Sequence, residues 1–179
     1  MEETEFTPKT SLTQMALTNG LLTGFVLILI SLVFYLLNDP TNQIATYISY
    51  VVIIAGIVWS TLAWRRDGLG GYITYGQAVG IGSYTILFTA LISAVYIFVF
   101  MQFIDPGVKD IFIAQAEEQI LTRTPDIPDE QLDVALALTE RMFNPLILAI
   151  STLFTYGLLG VLFSLITSAF LKKKAPESF

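Results

Sequence analysis

Residues 145–171 read PLILAISTLFTYGLLGVLFSLITSAFL, and Lys172, Lys173 and Lys174 follow without a break. Tyrosine is the only ionisable side chain in that run. A hydrocarbon core about 30 Å thick is crossed by roughly 20 apolar helical residues. This segment is therefore long enough to span a bilayer and to stop on a basic anchor. Working back toward the N-terminus, residues 10–38, 40–64 and 68–104 share the same property. Their apolar residues come in unbroken blocks, whereas a soluble amphipathic helix shows stripes. The reading is an all-α integral membrane protein with four transmembrane helices, at about 13–37, 44–64, 76–103 and 145–171. Residues 1–179 form one domain on this reading.

Composition agrees and narrows the chemistry. The chain is 54% hydrophobic and 13% charged, against about a quarter charged for an ordinary soluble domain. It has no Cys and no His, so thiol nucleophiles, imidazole catalysis and Cys/His zinc sites are excluded. The net charge of −6 and the lack of a large basic patch argue against a nucleic-acid partner. Ser93, Ser151 and Ser164 have no imidazole to serve as a base. The expectation is no enzyme, no cofactor and no bound metal.

The first span is read as a retained helix, not a cleaved leader. Glu2, Glu3 and Glu5 oppose a single Lys9, the apolar run 21–37 is too long for a signal core, and Asn38-Asp39-Pro40 is no small-residue cleavage site. Pro40 ends that helix, and Pro145 suits the first turn of the fourth, where its missing N–H is not needed. Trp59, Trp64, Tyr47, Tyr50 and Tyr72 lie near span ends, as interfacial aromatics do.

With four spans, Lys9, Arg65, Arg66, Lys172, Lys173 and Lys174 fall on one side. Lys109, Arg123 and Arg141 fall on the other, spread over residues 104–144. Six cations close to span ends against three dispersed ones place both termini in the cytoplasm. The segment 104–144 then lies outside. Its nine acids, Asp105, Asp110, Glu117, Glu118, Asp126, Asp129, Glu130, Asp133 and Glu140, give it a net charge of −6. Val108, Ile111, Phe112, Gln115, Gln119 and Ile120 recur at helical spacing, and so do Leu132, Ala135, Leu136, Thr139 and Phe143. Pro128-Asp129-Glu130 opens the second helix with acids in its first turn. An extracytoplasmic helical hairpin, turning at 124–128, is the expected insert between spans three and four.

Three features bear on function. Gly20 and Gly24 form a G-x-x-x-G pair, and so do Gly76 and Gly80, with Gly82 close by. Such pairs let helix backbones approach closely, either within one bundle or between copies of the chain. Second, Arg65-Arg66-Asp67-Gly68-Leu69-Gly70-Gly71 leads into the third span. Its glycines and arginines suit a phosphate-bearing ligand, although the pattern is neither a P-loop nor a dinucleotide fingerprint. A tight re-entry turn with Arg65 and Arg66 at anionic headgroups is the simpler account. Third, Asp126, Asp129, Glu130 and Asp133 offer oxygen atoms, but their spacing matches no EF-hand loop, and a solvated acidic face explains them. The candidate interaction or packing residues are thus Arg65, Arg66, Gly70, Gly71, Gly76 and Gly80.

The stretch Gly70-Gly71-Tyr72-Ile73-Thr74-Tyr75-Gly76-Gln77-Ala78 also carries a resemblance. Together with Asn144-Pro145, Gly160, Ser164-Leu165-Ile166 and Leu171-Lys172-Lys173-Lys174, it is similar to the family called domain of unknown function 4199. The resemblance covers most of residues 12–174. It implies four spans, an acidic helical insert between the last two, and a bacterial cytoplasmic-membrane location. It implies no activity, substrate or catalytic residue. The leading expectation is a non-enzymatic protein in the lipid bilayer, acting by homo-oligomerisation or by binding an unidentified membrane protein. The alternative is a small oligomeric transporter or channel subunit, built on hydroxyls, amides and carbonyls because no ionisable group other than tyrosine lies at membrane depth.

Overall fold

The computed structural model describes residues 11–174, so Lys9 and the acidic leader lie outside the described residues. Six α-helices follow one another without a strand among the described residues: α1 (Leu12–Leu36), α2 (Gln43–Asp67), α3 (Tyr75–Val99), α4 (Val108–Arg123), α5 (Asp129–Met142) and α6 (Pro145–Leu171). Helices α1, α2 and α6, and α3 with its π-helical extension Phe100–Ile104, are long and apolar enough to cross a bilayer. The chain is by that measure a multi-pass membrane protein. The expected helix bounds differ by only a few residues. The largest shift is at α2, which runs through Arg65 and Arg66 to Asp67 before Gly68 caps it.

Local sequence explains where the helices begin and end. Ser11 accepts a hydrogen bond from the Gln14 N–H at 3.1 Å, and Asn42 accepts one from the Ile44 N–H at 2.7 Å. Both satisfy donors that a helix start leaves open. Asn144 does the same for the Leu146 N–H at 3.0 Å. The chain leaves α1 through Asn38, which takes a positive φ of 58°, and Pro40 follows. At the head of α3, Thr74 and Gln77 cap each other: Gln77 Oε1 accepts from the Thr74 N–H at 2.9 Å, and the Gln77 N–H reaches Thr74 Oγ1 at 3.3 Å. This is a capping box, reciprocal satisfaction of two open donors.

Contacts divide the chain into two compact units, one up to Ser93 and from Leu153 onward, the other Ala94–Thr152. In the first unit the apolar side chains face outward and the interior is built of small and hydroxyl-bearing residues. Phe25, Leu22, Leu91 and Phe170 are exposed, whereas Ser60, Thr61, Thr85, Thr89, Ser164 and Ser168 are buried. A soluble bundle does the reverse. In lipid there is no hydrophobic gain from bringing Leu against Leu, so close packing and interhelical hydrogen bonds hold the helices together. Two apolar clusters complete the interior: Ala16, Trp64, Ile73, Ala78 and Ile81 near the start of α1, and Leu27, Ile53, Ile57 and Ile86 further along. Trp64 corrects one expectation. It is 7% exposed and belongs to the first cluster, so it packs the core instead of facing outward as an interfacial aromatic does; Trp59, 66% exposed, faces outward.

In the second unit α4 and α5 pack as a hairpin. Phe112 and Phe143 stack with ring centroids 5.1 Å apart and planes 11° from parallel. Lys109 Nζ lies 2.7 Å from Glu140 Oε1. That hydrogen bond and the lysine's charge hold the Glu140 carboxyl below its ordinary value. Leu132, Ala135, Leu136 and Thr139 are half-buried along α5, while Val134, Leu138 and Met142 on another side are exposed.

Candidate functional site

At the end of α2 the chain must turn and re-enter as α3, and glycine makes that possible. Gly70 and Gly71 both take positive φ, 63° and 98°, a conformation that L side chains resist. The Gly71 N–H closes the turn on the Arg65 carbonyl at 2.7 Å. Ile73, fully buried, then pairs with Lys173 through two backbone hydrogen bonds of 2.9 Å. The same end therefore holds the start of α1, the end of α2, the start of α3 and the end of α6.

Arginine finishes the junction. Arg65 Nη1 donates to the Leu171 carbonyl at 3.3 Å, one of the last carbonyls of α6, which lack helical partners. A cation there also complements the helix dipole. Arg66 instead lies at the surface and is held by Asp67, at 2.7 and 2.8 Å. Lys173 Nζ stands 5.6 Å from the centroid of the Tyr72 ring. Between these groups is an open cavity of about 730 Å³. Trp59, Leu62 and Ala63 form its apolar wall, and Arg65, Arg66, Gly70, Gly71 and Lys173 its basic rim. Four of the six residues expected from sequence thus line one cavity; Trp59 and Lys173 were expected only as an interfacial aromatic and part of a basic anchor.

The remaining two, Gly76 and Gly80, lie elsewhere. A Cβ added at either would meet no atom within 4 Å, so both open outward. The pair on α1 behaves oppositely. A Cβ at Gly20 would lie 2.5 Å from the Thr85 carbonyl oxygen and 2.7 Å from Phe88 Cβ, and one at Gly24 would collide with Ile92.

A model of the family "protein of unknown function (DUF4199)" matches residues 18–173. The chain belongs to that family. No curated protein and no solved structure matches it. All six candidate residues of this DUF4199 chain, and Lys173, fall within the matched region.

Across the interior of the DUF4199 bundle runs a chain of hydrogen bonds. The Asn19 amide donates to Ser60 Oγ at 3.2 Å, Ser60 and Thr85 hydroxyls meet at 2.7 Å, and Thr85 donates to the Ile81 carbonyl at 2.8 Å. Either hydroxyl of the Ser60–Thr85 pair can donate, and whenever Thr85 gives its one proton to Ile81 the donor is Ser60. Thr89 bonds the Gly20 carbonyl at 3.0 Å, and Ser164 bonds the Val79 carbonyl at 3.1 Å. These contacts tie α1, α2, α3 and α6 together. Sequence alone did not single them out, because Ser and Thr are common throughout the spans. Asn19, an amide well inside an apolar run, was the available signal. Gln77, a polar position near the third span's start, is occupied in its capping box. Among the described residues no group of three or more Asp or Glu could hold a metal ion.

Proposed function

We propose that this DUF4199 protein resides in a bacterial cytoplasmic membrane and acts without enzymatic chemistry, by associating with a second copy of itself. The observation that carries this reading is the outward-facing Gly76-x-x-x-Gly80 pair. A strip without side chains on a lipid-facing helix lets another helix approach its backbone. Around it on α3, Tyr84, Leu87 and Leu91 are exposed and supply apolar area for the approach. Both termini are cytoplasmic and the acidic α4–α5 hairpin is extracytoplasmic. Supporting that orientation, Arg65, Arg66, Lys172, Lys173 and Lys174 gather at one end, as the positive-inside rule requires.

The absence of cysteine makes the test direct. Tyr84→Cys, on the proposed face, is expected to form disulfide-linked dimers in native membranes. Leu22→Cys, exposed on α1, is expected to stay monomeric. Equal crosslinking at both positions, or crosslinking of Tyr84→Cys only to a different protein, overturns self-association. Reporter fusions after Lys174 and within 104–144 should report opposite sides; the same side for both would sink the orientation. Solute flux through liposomes containing the purified protein, abolished by Tyr84 or Gln102 substitutions, would favour a transporter instead.

A further inference from the structure

The cavity at the end of α2 has a graded lining. Trp59, Leu62 with Ala63, and Arg66 stand at i, i+3/i+4 and i+7, one face of a helix. At 1.5 Å per residue, this face passes from apolar to cationic over roughly 10 Å. Arg65 and Lys173 add two further cations at the basic end. Among the described residues no carboxylate lines the cavity, and Asp67 pairs with Arg66 beside it. Gly71, without a side chain and with nothing within 4 Å of where its Cβ would lie, leaves the rim open.

We infer that this cavity binds an anionic phospholipid, its phosphate against Arg66 and Lys173 and its acyl chain along Trp59 and Leu62. The chemistry that fits is amphipathic. A phosphate group matches guanidinium and ammonium donors, and a hydrocarbon chain covers an otherwise exposed tryptophan. A free phosphate uses only the rim and leaves Trp59 uncovered. Arg65 plays a positioning part: its bond to the Leu171 carbonyl keeps the end of α6, and hence Lys173, beside the cavity. This inference does not depend on self-association.

The experiment is native mass spectrometry of the full chain released from nanodiscs holding equal phosphatidylglycerol and phosphatidylcholine. Retention of phosphatidylglycerol is expected. Arg66→Gln and Lys173→Gln should each weaken it about fivefold, the effect of removing one basic side chain from an anionic surface. Lys172→Gln, outside the cavity, should change it less than twofold, and Trp59→Ala should weaken retention of both lipids while keeping the headgroup preference. Thermal unfolding in detergent checks that the variants fold. Arg66→Gln and Lys173→Gln, both at exposed positions, should unfold with the parent. Equal loss with Lys172→Gln reduces the effect to unspecific surface charge and overturns the site. Displacement of the lipid by inorganic phosphate, with matching thermal stabilisation by phosphate alone, replaces the lipid with a free anion and also overturns it.

Discussion

The two G-x-x-x-G pairs have the same spacing and opposite fates. Gly20 and Gly24 on α1 are pressed against Thr85, Phe88 and Ile92 of α3, whereas Gly76 and Gly80 on α3 open to the outside. The motif makes a strip of helix smooth but does not say which way the strip points. Rotation is decided by what else the helix must bury. On α1 the buried residues Ala16, Gly20, Thr23, Gly24 and Leu27 lie along one face, so its glycines turn inward. On α3 the buried residues include Ala78, Ile81, Gly82, Thr85, Ile86, Thr89, Ala90 and Ser93. Gly80 is two positions, about 200°, from Gly82, and it is Gly82 that meets Ser164 of α6.

The sharpest way to break this contrast is to fill both strips. Gly20→Leu should destabilise the fold by about 3 kcal/mol or more, because its neighbour is backbone and cannot swing away. Thermal or denaturant unfolding in detergent measures it, and a loss below about 0.5 kcal/mol would remove the inward reading. The double change Gly76→Leu with Gly80→Leu should leave unfolding nearly unchanged, yet weaken self-association about tenfold or more, some 1.4 kcal/mol. Energy transfer between labelled copies in liposomes reads that loss. Unfolding that falls as far as in Gly20→Leu would mean that α3 packs its glycines after all.

A smaller effect sharpens how the inward face is held. Thr85→Val keeps the shape but removes the hydroxyl that bonds both Ser60 and the Ile81 carbonyl. A destabilisation of about 1 kcal/mol is expected, the scale of hydrogen bonds between helices in membranes. The smallest effect belongs to the hairpin. Glu140 titrates below its ordinary value because Lys109 bonds and attracts its ionised form. A depressed carboxyl contributes stability above its unfolded value and loses it as the pH falls through the folded one. Slowed amide exchange in α4 and α5 should therefore persist at neutral pH and diminish on acidification. Lys109→Gln should remove most of that pH dependence; an unchanged profile would show that the pair contributes nothing.

Much of the fold was legible because a bilayer imposes one rule on every span. Backbone donors and acceptors must be satisfied within the segment, so a long uncharged apolar run has little choice but helix. The run 145–171 was placed at its observed bounds, and the hairpin face of Leu132, Ala135, Leu136 and Thr139 followed from spacing. The site was half legible. Arg65, Arg66, Gly70 and Gly71 stood out as a charged, Gly-rich turn, but Trp59 was visible only as an interfacial aromatic and Lys173 only as part of a basic anchor. Trp64 shows the limit most clearly: an aromatic beside an arginine suggests an interface, and only its contacts with Ala16 and Ile73 show that it faces inward.

Sequence by itself determined the helices, their caps, the crossing lengths and the clustering of charge, because each depends on neighbours within a few positions. Tertiary structure decided which glycine pair is buried, that Arg65 caps α6 more than 100 positions away, and that Lys173 meets the re-entry turn through Ile73. In an apolar helix nearly every face is greasy, so composition carries little information about rotation. Close approach of backbones and a few hydroxyl bonds across the bundle settle it, and those are properties of the assembled helices.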